Sequence, residues 1–311
     1  RGLVERHERF VFPLLRRRAL FARAARFRLY DLVAPEGWVN EDVFAYSNAA
    51  GADRALVLYN NSPRHARGRI RESAAFAEKT ASGRRLARST LAEGLGLSAG
   101  GFVTFRDHGS GLEYLRDGRE LAEAGLAVDL APYGCQVFLD FAEVADDARG
   151  SWSRLCASLG GRPVPSLGRA LRELELAPVR DAFRGVLVAL RSTEPLPVIE
   201  AYARFADAAE GRLPAGREPG AVAQAFGRSL RAIEDRSHAK AGAELLARPG
   251  RRTLAGAWAA LASLGDSAAS RVGEWLLDDL VRGELHDARC PAADAGPAIL
   301  CLLLDHTPTA A

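Results

Sequence analysis

The chain has 311 residues, 48% hydrophobic and 26% charged, a balance that excludes intrinsic disorder and allows two domains of ordinary size. Its 42 basic against 39 acidic residues leave a formal charge of only +3, without the positive excess that phosphate backbones require, so nucleic acid is not an expected partner. No apolar run approaches the ~20 residues of a membrane span, the longest being AILCLLLD at 298–305, so no membrane association is expected.

The sequence contains no Met and opens on RGLVERHERF, already polar–apolar patterned, which raises the expectation of an internal or C-terminal piece of a longer protein. From about Phe12 the segment to Arg26 reads as a helix, with Pro13 in the first turn, where its missing N–H costs nothing. Leu14, Leu15, Phe21, Ala22 and Ala25 fall on one side at helical spacing, a stripe that must bury itself against something. The Arg16–Arg17–Arg18 run reads as a solvated or rim face, against the lesser alternative of an anion site.

Residues 37–145 change character. Asp42–Asn48 and Arg54–Asn60 are rich in Val, Phe, Tyr and Leu and flank a turn containing Gly51, which predicts a hairpin. Further strands are expected over 101–108, 112–116, 126–130 and 133–141. In the last, Tyr133, Cys135, Val137, Leu139 and Phe141 alternate, which predicts that all five share the core face, with Gln136 and Asp140 opposite. Short strands separated by Gly, Asn and Pro suggest an antiparallel sandwich. Thr90-Leu-Ala-Glu93 has capping-box spacing and opens a short helix through Leu97.

From Ser151 the pattern is helical. A helix stops at Gly160–Gly161, Ser166 can cap the next, and Pro178 is expected to begin a fresh segment through Leu190. Further helices are expected at about 196–211, 219–236, 253–264 and 268–284. The fold expected is therefore α+β and multi-domain: a helix and exit over 1–35, an antiparallel β-sandwich over 36–148 and an all-α region over 149–311.

Candidate chemistry is sparse. Glu41–Asp42 are strand neighbours that point to opposite faces, poor geometry for paired acid–base work. Asp107, His108 and Ser110 are sequence neighbours, whereas triads are assembled from distant loops, so a polar turn is the expectation there. His286, Cys290, Cys301 and His306 offer ligand types but match no strong zinc spacing, and neither metal nor cofactor is expected. The four cysteines form no C-x-x-C pair, which favours a reducing, cytoplasmic compartment. Trp38, Phe44, Tyr46 and Tyr59 suggest a sugar-stacking platform, but a sheet also needs aromatics for its core, and Phe44 and Tyr46 share one strand face. Trp38 remains as the expected exposed ring and candidate carbohydrate contact.

The order of these segments resembles the C-terminal region of the α-amylase family of glycoside hydrolases. FPLLRRRALFARAARFRLYDL is similar to the last barrel helix and its exit, VFAYSNAAGADRALVLYNNS to the opening hairpin of the following sandwich, and LAVDLAPYGCQVFLDF to its closing strands. Large bacterial α-amylase-like proteins carry VNEDVFAYSN, STLAEGLGL, FRDHGSGLEYLR and YGCQVFLDF in this order, over about residues 1–145. The resemblance implies a parent enzyme that cleaves or transfers α-glucosidic bonds with carboxylates at barrel strand ends, and none of those motifs occurs here. It therefore implies a non-catalytic portion that packs on the barrel and meets α-glucan or maltooligosaccharide through the parent enzyme. The alternatives are a carbohydrate-binding module and, for the helical region, a protein-interaction scaffold.

Overall fold

The structure, a computed structural model, describes residues 4, 7–22, 24–81, 83–191, 194–213, 216–238, 251–264 and 268–287. The chain divides into two compact units, Arg1–Arg172 and Glu173–Ala311. The first joins an antiparallel sheet to short helices and the second is helical, so the chain adopts the α+β class expected of it. The division falls after Arg172 rather than near Gly150, because the chain beyond the sheet is stitched back onto it. Glu113 and Val164 exchange backbone hydrogen bonds of 2.8 and 2.9 Å, and the Glu113 carboxylate accepts the Leu167 N–H at 2.7 Å.

Eight strands form one hydrogen-bonded antiparallel sheet: β1 (Arg28–Val33), β2 (Val39–Ala50), β3 (Asp53–Asn60), β4 (Ala66–Ile70), β7 (Phe102–Asp107), β8 (Glu113–Asp117), β9 (Leu126–Leu130) and β10 (Cys135–Val144). Their order is β8-β7-β10-β3-β2-β1-β4-β9, so the layers of the expected sandwich belong to a single ladder. The hairpin β5 (Phe76–Thr80) and β6 (Gly83–Ala87) stands as a separate two-stranded sheet. No strand was expected at β1, which lies within the segment expected to be a helix and its exit, nor at β4, β5 or β6. For β1 and β4 little local signal exists, because β1 is irregularly registered on β2 and β4 pairs with the distant β9.

The inner face of the sheet builds the core. Tyr30 and Leu32, Val43 and Ala45, Leu56 and Leu58, and Leu126, Val128 and Leu130 meet there by period-two alternation. Two helices, α3 (Leu91–Leu95) and α4 (Gly118–Ala124), close this core with Leu91, Leu95 and Leu121. The capping box predicted for α3 is present: the Thr90 hydroxyl accepts the Glu93 N–H and the Glu93 carboxylate accepts the Thr90 N–H.

Two expectations about faces are corrected. β10 carries a bulge between Leu139 and Ala142, and Asp140 within it has a left-handed φ of 55°. Phe138 and Phe141 therefore both reach the inner core, while Val137 and Leu139 lie on the outer face, so the five alternating residues do not share one side. The N-terminal helix is also not continuous. A π-helical turn (His7–Val11) leads into α1 (Phe12–Arg16), Arg17 breaks it at φ −91°, ψ 20°, and α2 (Arg18–Phe21) follows. Leu20, which lies off the predicted stripe, is the residue driven home: it is 3% exposed against Ala55, Val137 and Leu139, with Leu14 and Phe21 beside it. Leu15, Ala22 and Ala25 stay in solvent. The break at Arg17 coincides with its ion pair to Asp140, at 3.0 Å.

After α5 (Ser151–Leu159), α6 (Leu167–Ala189) runs through Pro178 without the predicted restart. Pro178 removes one backbone hydrogen bond, but Leu176, Val179, Phe183 and Leu187 keep one buried face across it. The second unit adds α7 (Pro195–Ala208), α8 (Pro219–His238), α9 (Arg251–Ala262), α10 (Ala268–Glu274) and α11 (Asp278–Asp287). The single helix expected over 268–284 is split because Leu276 turns left-handed at φ 52°, which lets Trp275, Leu276 and Leu277 all enter the core. That core centres on Tyr202, stacked on Phe226 with ring centroids 4.0 Å apart, and on Phe183 and Phe205. The Tyr202 hydroxyl donates to the Ala260 carbonyl at 2.9 Å, so its burial leaves no unmet polar group. Among the described residues, no helix is long and apolar enough to cross a membrane.

Two measurements follow from this packing. Gly125 ends α4 at φ 70°, ψ −161°, and a Cβ there would lie 2.0 Å from the Ile70 carbonyl oxygen. Gly125→Ala is expected to destabilise the sheet unit by about 2–4 kcal/mol in urea unfolding. Tyr30 is buried, which pushes its hydroxyl up to about 12 against the opposing effects of its bond to Ser47 and of nearby Arg28. Since the unfolded phenol ionises near 10, this stabilisation is complete below pH 10 and is lost as pH rises through 12. Tyr30→Phe should lessen the fall in stability over that range by roughly 2–3 kcal/mol.

Candidate functional site

Trp38 owes its position to the β1–β2 connection. The Ala34 N–H donates to the Trp38 carbonyl at 2.8 Å and the Gly37 N–H to the Ala34 carbonyl at 2.9 Å, while Gly37 at φ 90° reverses the chain. The result is an indole 55% exposed, as expected of Trp38, at the tip of a β1–β2 hairpin that the sequence did not suggest.

The other aromatics of β2 and β3 do not lie in the core, as their shared face had implied. Phe44 is 54% exposed and stacks beside Tyr59, ring centroids 6.5 Å apart and planes 16° from parallel. Tyr46 packs on Phe27 at 5.4 Å. The register explains both pairs. Phe44 lies opposite Tyr59 and Tyr59 opposite Cys135 in one row; Leu29, Tyr46, Val57 and Val137 form the next. These rows belong to the outer face, because Val43, Ala45, Leu56 and Leu58 occupy the inner one. The turns α1 and α2 cover this face over Val57, Val137 and Leu139, leaving Phe27, Leu29 and Phe44 open. Trp38 is separated from Phe44 by roughly 20 Å of strand at ~3.4 Å per residue, so the four rings proposed from sequence do not make one platform. Burial is the first cause that raises the Tyr46 phenol, with neighbouring Cys135 adding to it.

The remaining candidates have structural roles. Asp107 is buried and accepts the Gly109 and Ser110 N–H groups and the Ser110 hydroxyl, the last at 2.7 Å, while His108 bonds instead to the Phe10 carbonyl. This polar turn is the one expected from sequence. Asn60, at the end of the hairpin, is also buried: its amide donates to the carbonyls of Arg64 and Ala131 at 2.7 and 3.0 Å and staples two loops together. Asp42 pairs with Arg64 at 3.7 Å. His286 lies in α11, whereas Cys290, Cys301 and His306 lie outside the described residues. Among the described residues no cluster of His, Cys, Asp or Glu is arranged to hold a metal.

Asp140 was expected only to face away from the core, with no role of its own. Burial alone would raise its carboxyl, but hydrogen bonds from Arg106 and Arg17 outweigh that and hold it below the usual carboxylate range. Arg106 Nε lies 3.1 Å from one carboxylate oxygen and Arg17 3.0 Å from the other. The available signal was the VFLDF run, which has too many apolar neighbours in succession for one strand face. No protein family, curated protein or solved structure matches the chain.

The two faces can be separated by mutation. Leu58→Ala, on the inner face at 0% exposure, is expected to cost about 2–5 kcal/mol. Phe44→Ser should change stability by less than about 1 kcal/mol. Comparable losses from the two would place Phe44 in the core.

Proposed function

We propose that this chain is the non-catalytic C-terminal portion of an α-amylase-family enzyme acting on α-glucans. Its sheet and helical domains would stabilise the catalytic barrel, and Trp38 would contact glucan or maltooligosaccharide. The observation that carries this reading is the half-covered outer face of the sheet. The turns α1 and α2 sit on part of it, and Phe27, Leu29 and Phe44 remain exposed beside them, as suits a module that seats on a second body. The roles of Asp107 in a turn, Glu113 at a helix start and Asp140 in ion pairs also fit a portion without catalytic duty. A reducing, cytoplasmic setting accords with the cysteine spacing.

A carbohydrate-binding module is the second reading, and the outward-facing Phe44–Tyr59 pair favours it. The full chain is expected to release no reducing ends from starch or maltodextrin, and release would overturn the non-catalytic assignment. On addition of maltoheptaose the Trp38 indole N–H resonance should shift. A resonance that stays in place at millimolar sugar would remove Trp38 as a glucan contact.

A further inference from the structure

The first unit contains a cleft of about 440 Å³ between the outer face of β10, β7 and β8 and the chain that returns over them as α5 and the start of α6. Its volume lies within the range of small-molecule sites. Trp152, half-buried at the start of α5, lines one side, and Thr104, Arg106, Glu113 and Asp140 line the sheet side. Gly168 lines the α6 side without a side chain to fill the space.

Three features distinguish this cleft from an accidental gap. Its polar groups are held before any ligand arrives: Arg106 bonds to Asp140, Arg17 fixes the other Asp140 oxygen, and Glu113 is tied to the Leu167 N–H. Asp140 is presented by the β10 bulge in a left-handed conformation that strains a non-glycine residue, and such strain tends to gather at functional sites. The charges also cancel, with Arg106 and Arg17 against Asp140 and Glu113, so neither an anion nor a cation would find a matched site. What the lining offers is acceptors, donors and the Trp152 indole as its open aromatic wall, since Phe105 is buried in the inner core. That combination suits a molecule bearing many neutral hydroxyls on an apolar ring face.

We propose that this cleft binds a neutral oligosaccharide, with Trp152 stacking on a sugar ring and Arg106, Asp140 and Glu113 bonding to its hydroxyls. The proposal rests on the cleft and not on the α-amylase-family reading, and the two can fail separately. The full chain would be titrated calorimetrically with maltoheptaose, cellohexaose, xylohexaose and chitohexaose, alongside Trp152→Ala and Gly168→Phe. The second variant guards against misfolding, since a Cβ at position 168 meets only the Ser166 hydroxyl at 3.9 Å and Phe is a better helix former than Gly. At least one oligosaccharide is expected to bind, and each variant should weaken it at least tenfold with an unchanged thermal midpoint for Gly168→Phe. Binding of a non-glucan alone would support the cleft while counting against an α-glucan role. No binding at millimolar concentration of any of the four, or full binding retained by Gly168→Phe, overturns the proposal.

Discussion

The bulge in β10 is the constraint on which the sheet unit depends. A regular strand from Cys135 to Val144 would place Val137, Leu139 and Phe141 on one face and Phe138 and Asp140 on the other. Either choice of inner face would then bury Asp140 or expose a Phe. By inserting a residue between Leu139 and Ala142, the strand gives Phe138 and Phe141 to the inner core and Val137 and Leu139 to the outer face, and turns the Asp140 carboxylate toward two arginines. The conformational cost at Asp140 is offset by what it allows: two apolar faces on one strand, with the Asp140 carboxylate held by two arginines instead of buried.

The same residue joins parts of the chain far apart in sequence. Arg17 breaks the N-terminal helix where its guanidinium meets Asp140, and Leu20 follows into the outer face one turn later. The ion pair is partly exposed and adds little stability by itself, whereas burying Leu20 contributes about 2 kcal/mol. Direction and energy thus have different sources. The charge sets where the turns sit, and the leucine holds them there.

Much of this was legible in the chain. The β2–β3 hairpin, the strand at 126–130, the α3 capping box and the helical second half follow from local rules of period, turn chemistry and capping, and they stand where those rules place them. The polar turn at Asp107 was equally readable, because its carboxylate is spent on neighbours two and three residues away. Face assignment was less readable. Alternation shows that Phe44 and Tyr46 share a side, but not whether that side is the core, and the deciding residues are the smaller Val43 and Ala45 between them.

By itself, then, the sequence determined the class of the protein and most of its elements, because helix and strand periods, caps and turns are interactions among near neighbours. Only the tertiary structure decided which face of the sheet is inner, that β10 bulges and that α6 passes through Pro178. It also decided that Asp140, Trp152 and Gly168 border one cleft. Each of these depends on a choice between competing burials, made by residues tens of positions apart, and no local pattern carries that information.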